Sequence, residues 1–564
     1  MKFNDFSYKR VEIESFKTEF NQLLDAFRQA ESFKDQDKVM TEINQLRKRF
    51  ETMHTLVGIR HSVDTKDDFY DKENEYYDEV GPIYEGLIND YYQKLVSSKF
   101  RKELEKKWGE LLFNIAEIQL KTFSPEIIPD LQEENRLSSE YGKLIASASI
   151  EFDGKTNNLS QMTPYMQSKD RKTRKSASEA VTEFFKENEN KFDSIYDSLV
   201  KVRDRMAKKL GFDNYVELGY LRLGRTEYGS SEVEIFRNQV EEHLVPLTVA
   251  LRERQRERLG YNTLFYYDEN FAFNSGNATP KGDKNWMLEN AKKMYSELSK
   301  ETRDFFDFMV ERELLDLESK PGKRAGGYCT YIADYQAPFI FANFNGTSHD
   351  VDVLTHEAGH AFQVFSSRHF EVPEYLWPTL EACEIHSMSM EFLTWPWMNL
   401  FFKEDEKKYK FDHLTAGLLF IPYGVTVDEF QHSVYQKPQA SPEERKQMWR
   451  EAEKKYLPSR NYQDNEFLES GAFWYRQGHI FGNPFYYIDY TLAQICAYQF
   501  WIKHQNNPNK TWEDYYRICQ LGGSLPFLSL VEEANLKSPF EVDTIKQIIG
   551  PINQWLNGID DRQL

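Results

Sequence analysis

Residues 356–360 read His-Glu-Ala-Gly-His, two histidines four apart with a glutamate after the first. On a helix, residues four apart share a face. His356 and His360 could therefore turn ring nitrogens toward one Zn2+, at about 2.0–2.1 Å. Glu357 would lie a third of a turn away, placed as a base toward water on the metal rather than as a ligand. Gly359 would let other backbone or substrate approach closely. The alternative is an ordinary helix whose histidines face solvent or a neighbour. Val353, Leu354, Ala361, Phe362, Val364 and Phe365 weaken it, because they make the helix largely buried. Buried histidines need partners.

A catalytic zinc usually has three protein ligands and one open position. A metzincin would carry glycine at 363 and histidine at 366, where this chain has Gln363 and Ser366. Thermolysin-type spacing ends on Thr379 or Leu380, and neither can serve. The stretch PTLEACEIHSMSMEFL (378–393) reads as a helix and offers Glu381, Glu384 and Glu391. A second cluster lies in FWYRQGHIFGNPFYYIDYTLAQ (473–494), where His479, Tyr486, Tyr487 and Tyr490 stand close together. Such groups could donate hydrogen bonds to a developing oxyanion. Among 33 tyrosines, plain aromatic packing is the competing reading.

HEAGH, with a glutamate 28 residues after its first histidine and then Ser387 and Glu391, resembles the thimet oligopeptidase/oligoendopeptidase F family of zinc metallopeptidases. The Pz-peptidases are the branch of that family in view. The resemblance covers most of the chain and is most specific over 326–391 and 471–500. It implies Glu384 as third ligand of a single Zn2+, with Glu381 and Glu391 as supporting groups. It implies His479 and Tyr490 as oxyanion donors, followed by Tyr486. It favours the strand PFIFANFNG as an edge along which a peptide could pair. Ala342 and Asn343 would then be contacts, with Gly326 and Gly327 in a movable partner segment. The chain departs from the family at Gln363, usually histidine, and at Cys383, usually alanine. Cys383 points away from the Glu384 face and reads as a small buried residue.

These residues need a frame, and the rest of the chain reads as a helical one. FKTEFNQLLDAFRQAESF places Phe16, Phe20, Leu23, Leu24 and Phe27 on one stripe. Helices are also expected over 39–57, 85–122, 170–209, 378–395, 405–435, 440–455, 485–505 and 510–520. Gly211 should stop the third of these. Strands are expected over 328–332 and 338–344, with Ser348 or Asp350 capping the helix after them. The fold class is therefore mostly α. The resemblance makes it a two-lobed zincin-type oligopeptidase, with a small β-element beside the metal helix and a deep channel between lobes. Its lobes would be 1–205 and 206–564.

Acidic residues exceed basic ones, 91 against 71, which argues against nucleic acid as a partner. The N-terminus lacks an apolar signal core, and no run is long enough to span a bilayer. The four cysteines are widely spaced, as expected for free thiols in a reducing cytoplasm. Oligopeptides are the implied substrates, and the oligomeric state stays open. Two other functions compete: a dipeptidyl carboxypeptidase of the angiotensin-converting type, with Arg476 as carboxylate anchor, and a peptide-binding protein with a dead metal motif.

Overall fold

The computed structural model describes residues 1–564. The chain is mostly α-helical, with one two-stranded hairpin and one three-stranded sheet. No helix is long and apolar enough to cross a membrane.

Helices Ile13–Gln29, Phe33–Val63 and Asp68–Val96 open the structure. Phe16, Phe20, Leu24 and Phe27 are buried along the expected stripe, and Leu23 sits at its margin. Side-chain caps set two of the starts. Ser32 accepts from the Asp35 N–H, and Asp67 accepts from the Phe69 and Tyr70 N–H groups. These helices, with Leu104, Leu112, Phe113 and Ala116, enclose an apolar core of their own. Beyond residue 116 that core takes in only Val372 and Tyr375. A larger core spans the rest of the molecule.

Helix Glu189–Lys209 ends as the sequence predicts. Gly211 takes a φ of +85°, and the Phe212 N–H turns back to the Ala207 carbonyl. Arg203 on this helix is fully buried. Its Nε donates to Glu134 at 2.6 Å, and its terminal nitrogens donate to the Tyr435 hydroxyl at 2.9 Å and the Phe481 carbonyl at 2.5 Å. Arg222 donates to the other Glu134 oxygen at 2.8 Å. One buried carboxylate thus gathers two helices, and one guanidinium carries the connection to the segment holding His479.

The hairpin is β1 (Ile150–Phe152) and β2 (Lys155–Asn157). The sheet holds β3 (Leu315–Glu318), β4 (Tyr328–Ile332) and β5 (Ala337–Phe344), in the order β3-β5-β4. The sequence predicted β4 and β5 but missed β3, which is short and runs parallel to β5. This corrects one expectation: β5 is the middle strand, not an edge. Its run of six buried residues, Ala337–Ala342, is what an inner strand requires. Lys323, itself buried, donates to the Ala342 carbonyl at 2.5 Å and to Asp316 at 2.6 Å.

Helix His349–Ser367, the first site helix, follows β5. Neither expected cap acts on it. Ser348 makes no side-chain cap bond, and the Asp350 carboxylate instead accepts from the Asn345 and Gly346 N–H groups, at 2.9 and 2.8 Å. It braces the turn out of the sheet. Helix Leu380–Leu393, the second site helix, comes after a loop that both cores grip. Gln363 and Ser367 donate to the Leu376 carbonyl, at 3.1 and 2.7 Å. Arg47 on helix Phe33–Val63 donates to Glu374 at 2.7 Å, and the Leu112 N–H donates to the Tyr375 hydroxyl at 3.0 Å.

Burial works against the Glu134 charge, but Arg222 and Arg203 outweigh it and hold the carboxyl at about 2, below its ordinary 4.5. A depressed pKa stabilises the fold above the unfolded value, and that contribution is lost as pH falls toward the folded one. Urea unfolding between pH 6 and pH 3 should therefore show falling stability. Glu134→Gln should lower stability at neutral pH by about 3–5 kcal/mol and flatten that acid slope. An unchanged slope would remove Glu134 from this role.

Candidate metal centre

The two site helices cross at Gly359. A Cβ there would lie 2.6 Å from both the His386 carbonyl and the Ser387 Cα, so only glycine permits the approach. This closeness brings His356 and His360 over Glu384. Their Nε2 atoms lie 3.1 and 3.3 Å from Glu384 Oε2. One ligand atom from each residue falls within 4.8 Å of the others. Two imidazoles and a carboxylate facing one point form a donor set suited to a divalent ion such as zinc.

Each ligand is held from behind. Ser387 Oγ donates to Glu384 Oε2 at 2.9 Å, and the Tyr486 hydroxyl donates to Glu384 Oε1. Burial opposes the charge on Glu384, but His360 and His356 hold it well below the usual carboxylate range. His356 Nδ1 lies 2.7 Å from Glu391 Oε1, and His413 Nε2 lies 2.7 Å from Glu391 Oε2. Trp395 Nε1 donates to His413 Nδ1 at 3.2 Å, so His413 Nε2 carries the proton that Glu391 accepts. Glu391 likewise accepts a hydrogen bond from His356 Nδ1–H, and with the proton kept on Nδ1 His356 Nε2 is bare for a metal. Burial opposes this carboxylate too, yet the two histidines hold it at about 2.

Glu357 stands beside this set without joining it. It is 6% exposed, and its Oε2 has no hydrogen-bond partner. Burial pushes its carboxyl above the ordinary range, and His356 and His360 offset only part of that. Gly327 passes close by: a Cβ there would sit 3.2 Å from Glu357 Oε1.

The tyrosine segment reaches the same place. Tyr486 starts helix Tyr487–Asn506 and contacts Glu384 directly. Tyr490, one turn on, stacks against Tyr486 with ring centroids 5.1 Å apart. His479 Nε2 lies 3.0 Å from the Tyr490 hydroxyl. Burial lowers His479 to about 4, so it is neutral at neutral pH. Tyr487 also packs on His479, ring to ring at 5.1 Å.

The remaining expected site residues fall elsewhere. Ala342 is fully buried, and Lys323 occupies its carbonyl. Asn343 Nδ2 donates to the Arg324 and Gly326 carbonyls at 2.8 Å, so it braces the glycine segment. Glu381 is buried against Arg225 and Tyr228, away from the metal ligands. The Cys383 thiol donates to the Pro378 carbonyl at 3.4 Å, in the buried role expected of it. Arg476 lies over the Phe473 ring at 4.1 Å. Sequence reasoning missed His413, Gln477 and Tyr423. Only Gln477 had a local signal, two residues before His479.

Two family models match the chain. The Peptidase M3 N-terminal domain matches residues 3–123, and Peptidase family M3 matches residues 164–548. The chain belongs to peptidase family M3. Within that family, PZ peptidase A, solved with an inhibitor, is 60% identical with a TM-score of 0.99 over 100% of both chains. An oligoendopeptidase F homolog of Lactococcus lactis subsp. lactis (strain IL1403) is 24% identical over 368 residues, 61% of this chain and 58% of the relative. The chain thus spans less than two thirds of that M3 relative. An oligoendopeptidase F from Enterococcus faecium shares the fold, with a TM-score of 0.62 at 15% identity over 98% of this chain and 99% of that one.

Outer hydrogen bonds of this kind typically contribute about 10–100-fold in metal affinity. Glu391→Gln and His413→Phe should each weaken zinc binding by roughly that factor, measured by competition with a chromogenic chelator. Wild-type affinity in both variants would mean that His356 needs no such orientation.

Proposed function

We propose that the protein is a zinc-dependent endopeptidase that hydrolyses short oligopeptides, with His356, His360 and Glu384 as ligands and Glu357 as general base. The observation that carries this reading is the convergence of those three ligand atoms beside a buried carboxylate oxygen with no partner of its own. Bound there, Zn2+ supplies a Lewis acid that makes a water nucleophilic at neutral pH.

The chain supplies the rest. Glu357 takes a proton from the attacking water and returns it to the leaving nitrogen, a role typically contributing about 10²–10⁴ in rate. Tyr490 donates to the carbonyl oxygen as it gains charge, with His479 behind it; Tyr486, expected as a further donor, gives its one proton to Glu384 instead and steadies that ligand. Burial keeps both phenols protonated by raising them well above their ordinary value. Gly326 and Gly327 present backbone beside Glu357, along which an extended peptide can pair. In this proposal Asn343 holds that segment, and Ala342 contributes packing.

The lobes 1–205 and 206–564 would enclose a channel that admits peptides and excludes folded proteins. Four free thiols suit a cytoplasmic setting.

A dipeptidyl carboxypeptidase reading keeps one supporting observation. The Arg476 guanidinium rests on aromatic rings and forms no ion pair in the structure, so it could hold a peptide's free carboxylate. Peptides of increasing length, with free and amidated C-termini, separate the two readings by mass spectrometry. Cleavage inside amidated peptides is expected. Removal of dipeptides from free C-termini alone would favour the second reading.

Glu357→Gln should keep zinc at full stoichiometry and lose about 10²–10⁴ in kcat. Retained turnover would sink the base assignment. No turnover by the zinc-loaded wild type on any peptide would leave only a peptide-binding role.

A further inference from the structure

Behind His479 stands a pair of groups outside the mechanism above. Gln477 Nε2 lies 2.9 Å from His479 Nδ1, and the Tyr423 hydroxyl donates to Gln477 Oε1 at 2.9 Å. On its other side, His479 Nε2 faces the Tyr490 hydroxyl at 3.0 Å. A neutral imidazole carries one proton, on either nitrogen, and its two neighbours decide which.

The direction follows from the far end. Glu384 is a carboxylate and can only accept, so the Tyr486 hydroxyl donates to it. Tyr486 has then used its proton, and the Tyr490 hydroxyl beside it has His479 Nε2 as its hydrogen-bond partner, so it can offer its own proton to substrate only by accepting there. The Tyr490 oxygen is left as an acceptor, and the group facing it is His479 Nε2. Nε2 must then hold the ring proton, and Nδ1 must accept. The Gln477 amide supplies the donor that Nδ1 needs, and Tyr423 keeps the amide turned that way.

We propose that Gln477, oriented by Tyr423, is a positioning residue that fixes His479 as the Nε2–H tautomer, so that Tyr490 keeps its proton for the substrate. With the opposite tautomer, a bare Nε2 would draw the Tyr490 proton toward itself, away from the oxyanion. The proposal rests on the reading of His479 and Tyr490 as oxyanion donors, and it adds what controls them. The other charged groups whose fields reach His479 are Glu384 and Arg324. Neither is within hydrogen-bonding distance of its ring nitrogens, so the local amide decides the tautomer.

The test exchanges the donor at 477 for an acceptor. In zinc-loaded, 15N-labelled protein, His479 should show an unprotonated Nδ1 and a protonated Nε2. Its resonances are assigned by their loss in His479→Gln, among 12 histidines. Gln477→Glu can only accept, so it should move the proton to Nδ1 or add a second one. It should lower kcat by about 10–100-fold, the usual cost of a lost orienting partner, with KM little changed. Gln477→Met, which keeps the volume but removes the donor, should mix the two tautomers and lose less. Tyr423→Phe should act in the same direction, more weakly.

A protonated Nδ1 in the wild type overturns the proposal. So does a Gln477→Glu protein whose His479 pattern and kcat match the wild type. Should Gln477→Glu fail to fold, Gln477→Met and Tyr423→Phe carry the same readouts. His479→Ala separates the two levels. If it retains full kcat, the oxyanion reading fails whatever the tautomer is.

Discussion

Everything at this site depends on how closely two helices can cross. His356 and His360 share one helix by simple periodicity, but Glu384 sits on another, and the loop between them makes no regular element except a short turn at 373–375. Gly359 removes the one side chain that would hold the helices apart. The second helix then lies against backbone, and Glu384 comes within hydrogen-bonding distance of both rings. A methyl group there would have to displace main chain rather than a flexible side chain. Packed interiors resist such shifts. The convergence of His356, His360 and Glu384 is thus a consequence of a backbone contact, and only secondarily of the side chains themselves.

That crossing is itself held from outside. The loop between the helices is gripped by Gln363 and Ser367 from one side, and by Arg47 and the Leu112 N–H from the other. Gln363 stands where the family usually has histidine. Here its amide spans from helix to loop, so the departure has a mechanical use. The same first half of the chain reaches the tyrosine segment through Glu134 and Arg203, which ends on the Phe481 carbonyl. Buried ion pairs are weak contributors to net stability but costly to break. They suit a place where a catalytic loop must stay in register with helices far away in sequence.

The sequence was most legible where its signals are local. The HEAGH spacing, the apolar stripe of the first helix, the Gly211 stop and strands β4 and β5 all follow periodicity or a single special residue. β3 was missed because its four residues carry little pattern and depend on a parallel partner more than twenty residues on. The edge-strand reading of β5 failed for the same reason. An unbroken apolar run already speaks for an inner strand, but which strands flank it is a tertiary fact. Glu384 was identified by likeness to a family, since spacing alone left three glutamates open. His413, beyond Glu391, could not be read at all. Only the fold turns Trp395, His413 and Glu391 into a chain that ends on His356.

The charge pattern of the site bears on the reaction it suits. One side holds three carboxylates: Glu384 and Glu391, tied to histidines, and Glu357, which is not. The other side offers Tyr490 and a His479 that burial keeps neutral. Oxyanion stabilisation from the protein would therefore come from neutral donors, oriented in advance, rather than from a cation. Preoriented dipoles need no reorganisation as charge develops. They also differ from a cation once the bond is broken. A fixed positive charge would hold the new carboxylate of the product, while a phenol paired with imidazole releases it at less cost. A site built to cut within a chain and let both halves go is better served by the second arrangement. Arg476, the nearest cation to the segment in sequence, lies over phenylalanine rings and takes no part in the hydrogen-bonded line that runs from Tyr423 to Glu384.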